Sequence, residues 1–146
     1  MDLIVKPFDE LTLEEYHELL VLRCAVFVVE QQSPYQEVDE ADKQAVHVYL
    51  RDDEGKLAAY ARVLPPEVTH PTHSIGRVIA VKRGTGMGKR IMEEAIRIAQ
   101  EDLDAKVITI EAQVQARGFY EKLGFVQTSD EFDDAGIPHI EMQWRA

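Results

Sequence analysis

Three alternating glycines, Gly84, Gly86 and Gly88, separate the apolar run Val78-Ile79-Ala80-Val81 from a stretch of helical periodicity that begins near Met87. Glycine lets the backbone turn sharply and lets amide N–H groups approach a ligand without interference from a Cβ. A helix start adds unsatisfied N–H donors and a positive dipole end, so a strand entering a helix through such a turn suits a pyrophosphate. Lys89 and Arg90 sharpen that expectation. Cations in a first helical turn oppose the dipole by about 0.3 kcal/mol or more each, and an anion bound at that end offsets the cost.

Other phosphate loops fit less well. A P-loop needs four residues between its first glycine and the Gly-Lys pair, followed by Ser or Thr. Here Gly84 and Gly88 enclose three, and Arg90 follows Lys89. A dinucleotide fingerprint needs glycine where Lys89 stands. The bland alternative is a turn without a ligand, in which three glycines weaken the helix start by about 0.5–1 kcal/mol each with no compensating gain.

The charge distribution points the same way. The formal net charge is −11, yet the segment from Arg77 to Arg97 holds six basic residues against two acids, so it carries +4 and the remainder −15. A positive island in an acidic protein suits a small anionic ligand. Nucleic acid needs a broader basic face and is not an expected partner. The composition, 45% hydrophobic and 29% charged, is that of a globular chain, and 146 residues suit a single domain over 1–146. No apolar run approaches the ~20 residues of a membrane span, and Met1 to Lys6 lacks the features of a secretion signal. A soluble, cytoplasmic protein that does not engage membranes is expected. Cys24 stands alone, which excludes an internal disulfide and cysteine-rich zinc sites.

The elements that must position the glycine loop read as alternating strands and helices. Leu3-Ile4-Val5 predicts a first strand. Thr12 and Glu15 form a capping box, after which Leu13, Tyr16, Leu20, Cys24 and Phe27 recur as a core stripe of a helix ending before Pro34. Ser33 to Gln44 is an acidic loop. His47–Arg51 and Lys56–Leu64 flank Asp52-Asp53-Glu54-Gly55 as a hairpin, and Pro65, Pro66 and Pro71 mark a connection. Ser74 to Val81 predicts the strand before the glycines. Met87, Ile91, Ala95, Ile98 and Ala99 then form one face of the helix after them. Val107–Ile110 is a buried strand, Ala116 to Leu123 a short helix capped by Gly124, and Phe125-Val126 restarts a strand. After the turn Asp133-Asp134-Ala135-Gly136, His139 to Trp144 closes a mixed sheet with helices on its faces, an α/β (α+β) fold.

At Arg83-Gly84-Thr85-Gly86-Met87-Gly88 the chain resembles the GNAT acetyltransferases, whose signature runs Arg/Gln-x-x-Gly-x-Gly/Ala. Leu22-Arg23-Cys24-Ala25-Val26-Phe27-Val28-Val29-Glu30-Gln31 and Gly136-Ile137-Pro138-His139-Ile140 are similar to the ElaA-like branch, so the resemblance covers most of the chain. It implies the GNAT acyl-CoA N-acyltransferase fold in one domain, acting as a monomer or homodimer. It also implies an N-acetyltransferase that uses acetyl-CoA as cosubstrate, without metal, on a primary amine of a small molecule or peptide. Arg83, Gly84, Thr85, Gly86, Met87, Gly88 and Lys89 would hold the pyrophosphate, and the backbone of Val78, Ile79 and Ala80 would pair with the pantetheine arm and acetyl carbonyl. Gln113 stands seven residues before Tyr120, where the family usually has an asparagine that hydrogen-bonds the pantetheine.

Phe119-Tyr120-Glu121-Lys122-Leu123-Gly124-Phe125 matches the family pattern in which a tyrosine protonates the leaving thiolate. A phenol of reference pKa about 10 can do so, and positioned acid catalysis contributes about 10²–10⁴-fold. The other reading of Tyr120 is a core aromatic beside Phe119 and Phe125. Glu111, Glu30 and His139 are base candidates by chemistry; a histidine at a strand start also serves packing. The acceptor pocket would draw on Arg23, Glu30, Tyr35, Asp39, Asp42 and His139, although such a charge run also reads as a solvated loop. His47, His70 and His73 are not spaced as metal ligands on one face. Cys24 reads as a small core residue. Two readings stand beside transfer: an acyl-CoA-binding regulatory module without catalysis, and a nucleotide-binding domain.

Overall fold

The computed structural model describes residues 1–33 and 36–146. Its strands and helices are β1 (Asp2–Pro7), α1 (Leu13–Cys24), β2 (Val46–Arg51), β3 (Leu57–Leu64), β4 (His73–Ala80), α2 (Met87–Glu101), β5 (Val107–Gln113), α3 (Arg117–Glu121), β6 (Val126–Gln127), β7 (Phe132–Asp134) and β8 (Ile137–Arg145). One sheet runs β1-β2-β3-β4-β5-β8-β6, with β7 also paired to β8. All pairs are antiparallel except β4 with β5. The mixed sheet expected from the sequence is present, with β7 in addition. The residues read as a turn, Asp133 to Gly136, in part form β7, and the reversal itself is confined to Ala135 (φ 53) and Gly136 (φ 81). Two successive left-handed residues match the twist of a tight hairpin.

The two sheet faces are covered differently. Ile91, Met92, Ala95, Ile98 and Ala99 of α2 bury against Val48, Leu50, Ala61, Val63 and the inward residues of β5 and β8, as the periodicity predicts. On the other face α1 packs Leu19 and Leu22, and the turn that follows it packs Val26 and Phe27, onto Tyr49, Tyr60 and Ile79. The capping box forms: Glu15 N donates to Thr12 Oγ1 at 3.0 Å and Thr12 N to Glu15 Oε1 at 2.9 Å. The expected stripe is displaced, because Leu13 is 93% exposed and Leu19 is buried. The helix is turned so that Arg23, fully buried, faces the sheet. An apolar-periodicity argument cannot assign a charged residue to the core. Beyond Cys24 the helix widens into one π-type stretch, Ala25–Glu30.

Arg23 is buried because it is paired. Its Nε donates to Glu37 Oε2 at 2.7 Å and its Nη1 to Asp42 Oδ1 at 3.0 Å. Arg62 Nη1 also donates to Asp42 Oδ1 (2.9 Å) and to Asp39 Oδ1 (2.6 Å), and Arg77 Nε donates to Glu37 Oε2 (2.9 Å). Tyr16 OH completes Asp42 at 2.6 Å. Three arginines thus meet three carboxylates beneath the segment that follows α1, and they fix that segment against β3 and β4. Burial lowers the pKa of His47, so it sits neutral in this cluster, bonded through its ring nitrogens to Tyr60 OH and Asp42 O. Arg23 and Asp39, expected to line an acceptor pocket, belong to this network instead. Most of the acidic run read as a solvated loop is likewise engaged in it, Glu37 and Asp42 being buried.

Candidate active site

β4 and β5 pair only at His73 with Ile108 and Ser74 with Thr109. Above that point they separate. Arg77 takes a left-handed φ of 54°, and the register of β4 against β3 shifts between Tyr60 and Arg62, which turns β4 away from β5. A non-glycine residue held in that region costs on the order of 1–3 kcal/mol; at Arg77 the ion pairs with Glu37 and Asp39 hold the bulge. The result is a cleft of about 1000 Å³ walled by Val78, Ile79 and Ala80 on one side and Ile110, Glu111 and Gln113 on the other. Ile79 and Ala80 remain paired with Tyr60 and Ala59 of β3. Their other edge, toward β5, has no ladder partner among the described residues. Such an edge can bond an extended polar chain as a further strand would.

The same strand leads into the glycine turn. Gly84 (φ 76) and Gly86 (φ 81) are left-handed, as an L side chain rarely is. Gly86 is the N-cap of α2, no side chain among the described residues caps the helix, and no acid lies in its first turn. Thr85 Oγ1 instead donates to Lys82 O at 2.7 Å. Arg90 N donates to Gly86 O, so the amides of Met87, Gly88 and Lys89 precede the first intrahelical bond. Gly88 has ordinary helical geometry, and a Cβ there would lie 3.6 Å from Phe119 Cζ and 3.8 Å from Ala80 Cβ. The third glycine therefore meets no positive-φ requirement. Around this turn Lys82, Lys89 and Arg90 are exposed and, among the described residues, make no ion pair. The positive island is smaller than its sequence count, because Arg77 faces the buried network and Arg97 pairs with Glu94 and Glu101.

Arg83 reaches across the cleft mouth to Glu30 at 2.7 Å. Both are exposed, and such a pair contributes about 0–1 kcal/mol, so a stronger anion can displace Glu30. On the far wall Gln113 Oε1 accepts from Gln115 Nε2 at 2.6 Å. Tyr120, half-buried between Phe119 and Phe125 in edge-on contacts, lines the cleft. Burial pushes its phenol up to about 12, so it is protonated at neutral pH. Gly124 (φ 100) ends this turn as predicted, with the side chain of Trp144 against it.

At the opposite end of the cleft His139 stacks on Phe132, and its Nδ1 lies 2.8 Å from Ile137 O. A carbonyl only accepts, so Nδ1 carries a proton and Nε2 is left as the acceptor in the neutral ring. Glu111 also lines this end, with His70 Nε2 at 3.3 Å from its Oε1. The pair shifts both groups: the bond to Glu111 raises His70, and the bond to His70 lowers Glu111. A histidine in a proline-marked connection carries no periodic signal that places it beside β5, so the pairing of His70 with Glu111 is visible only in the fold. Among predicted residues the structure brings together Val78 to Ala80, the glycine turn, Gln113, Tyr120, Glu30 and His139. Tyr35 lies outside the described residues, and Cys24 is half-buried. Among the described residues no cluster of three or more His, Cys, Asp or Glu could hold a metal ion, and no helix is long and apolar enough to cross a membrane.

The family profile described as "Acetyltransferase (GNAT) domain" matches residues 11–146. Protein ElaA of Escherichia coli strain K12 is 36% identical over 139 residues, covering 92% of this chain and 90% of that protein. The crystal structure of E. coli ElaA superposes with a TM-score of 0.91, covering 99% of each chain at 32% identity. That of an acyl-CoA N-acyltransferase from Pseudomonas aeruginosa superposes at 0.90, again over 99% of each chain, at 37% identity. With the splayed β4 and β5 and the glycine turn, these similarities establish that the chain belongs to the GNAT acetyltransferase family, in its ElaA-like branch.

Proposed function

We propose that the chain is a cytoplasmic, single-domain N-acetyltransferase that moves the acetyl group of acetyl-CoA to a primary amine of a small molecule or peptide within a ternary complex. One observation carries this reading: the unpaired edge of Val78 to Ala80 runs straight into the left-handed glycine turn at the start of α2. An extended amide-bearing arm and a diphosphate need that combination in that order. The relative from P. aeruginosa is itself described as an acyl-CoA N-acyltransferase.

Acetyl-CoA supplies an activated thioester when bound. The amides from Gly84 to Lys89 grip the diphosphate, with Lys82, Lys89 and Arg90 close by and Arg83 released from Glu30. The free edge of Val78 to Ala80 orients the arm, and an N–H of that edge polarises the acyl carbonyl. Gln113 offers its amide to the same arm from the other wall. Tyr120 donates its proton toward the sulfur as the C–S bond breaks. Its burial weakens it as an acid, yet the same burial raises the basicity of a thiolate expelled beside it, so the two stay matched. Purified protein with acetyl-CoA and a panel of amines should release free thiol. Tyr120→Phe should lower kcat by about 10²-fold or more while leaving cofactor affinity within a few fold. Unchanged turnover in that variant removes Tyr120 from the chemistry.

A further inference from the structure

We propose that Glu111 and His70 form the acceptor end of the site, Glu111 holding the substrate ammonium and His70 taking its proton before the nitrogen attacks. The inference rests on the transferase reading above and adds the residues that reading leaves open.

Three observations support it. Ile110 and Ala112 point into the core with α2, so alternation along β5 puts Glu111 and Gln113 together on the opposite face, about 6.6 Å apart along the strand. The ammonium site is thereby next to the wall that faces the acyl arm. Second, Glu111 stands directly opposite Glu141 across β5 and β8. Like charges in that position oppose each other, and a cation between them relieves the repulsion. Third, His70 is placed to act as a base: Nε2 is 3.3 Å from Glu111 Oε1, and Nδ1 is 3.0 Å from Thr69 Oγ1, which lies 3.0 Å from Ser74 Oγ.

That chain defines the proton path. In the base form Nδ1 carries the ring proton and donates it to Thr69 Oγ1, while Nε2 keeps its lone pair. The ammonium donates one N–H to Glu111 and another to Nε2. Its N–H bond breaks as the Nε2–H bond forms, and the electron pair stays on the amine nitrogen that attacks the acyl carbon. The imidazolium then pairs with Glu111 across the 3.3 Å contact between Nε2 and Oε1. The charged and titratable groups facing the pair are Arg77 on β4 and His139 and Glu141 on β8; Glu111 and Glu141 favour the His70 imidazolium, and His139 and Arg77 favour the Glu111 carboxylate.

The test follows the His70 ring by NMR through a pH titration, with n-butylammonium chloride as probe and potassium chloride at equal ionic strength as control. His70 should titrate above 6.5, and the bound cation should move its midpoint down by about half a unit or more. In Glu111→Gln the midpoint should start lower and ignore butylammonium. With acetyl-CoA and whichever of n-butylamine, benzylamine and spermidine is turned over, His70→Gln should lose about 10²-fold in kcat and the acidic limb of its pH profile. Glu111→Gln should chiefly raise the KM of the amine and shift that limb to lower pH. Acetyl-CoA binding, measured in each variant, should stay at the wild-type value. A His70 titration blind to butylammonium overturns the proposal, as does an acidic limb that survives in His70→Gln but vanishes in His139→Gln. Wild-type protein that fails to bind acetyl-CoA overturns the transferase reading itself, a separately recorded result.

Discussion

Replacing Arg23 by methionine removes a charge from the interior with little change in volume. The side chain has no exposure, and it donates hydrogen bonds to Glu37 Oε2, Asp42 Oδ1 and the Glu37 carbonyl. The network around it is balanced, with Arg23, Arg62 and Arg77 against Glu37, Asp39 and Asp42, so Arg23→Met leaves an excess negative charge in a largely buried site. Stranding one partner of a buried pair costs about 3–5 kcal/mol. Glu37 keeps Arg77, and Asp42 keeps Arg62 and Tyr16, which sets the expectation at the lower end, about 3 kcal/mol. With a urea m-value of about 2 kcal/mol/M, the unfolding midpoint followed by circular dichroism should fall by about 1.5 M. Adding Asp42→Asn restores the balance, so the double variant should be more stable than the summed losses by about 1–2 kcal/mol. A single variant within about 0.5 kcal/mol of wild type, or strictly additive losses, refutes the claim that charge balance holds the segment after α1.

Two further substitutions separate the glycines. Gly86→Ala places a Cβ on a left-handed N-cap and should cost about 1–2 kcal/mol in urea unfolding while weakening acetyl-CoA binding. Gly88→Ala makes ordinary contacts with Phe119 and Ala80 and should be neutral or stabilising by up to about 1 kcal/mol, with binding retained. Against their burial, the carboxylate of Asp39 is held below its ordinary range by Arg62, Arg77 and Arg23, and that of Asp42 by the Tyr16 hydroxyl together with Arg23 and Arg62; Glu15 is held near 2 chiefly by the Thr12 amide and Tyr49. Depressed carboxyls stabilise the fold above the unfolded pKa of about 4 and lose that contribution as pH falls through their folded values. The urea midpoint should therefore decline from about pH 4 toward pH 2, and a midpoint constant over that window contradicts the pairing.

What could be read in the sequence was what local periodicity and turn chemistry encode. The capping box, the α2 face, the sharp glycine turn before α2 and the Gly124 stop are set by neighbours within a few residues. The α1 face was misread at Leu13 because its inward position is held by Arg23, whose burial depends on Glu37 and Asp42 from a later segment. His70 escaped for the same reason: its meaning comes from Glu111, on a strand reached only after α2. The splay of β4 and β5 rests on a left-handed Arg77, a residue with no intrinsic preference for that conformation. Long-range ionic partners, more than apolar pattern, shape this side of the cleft.

The grip of the glycine turn on a thioester carrier is tested most directly by titrating acetyl-CoA into the intact protein in a calorimeter. Saturable heat at one site per chain is expected, weakened in Gly86→Ala and retained in Gly88→Ala. No heat of association, from protein whose circular dichroism shows a native fold, contradicts the assignment of the cleft.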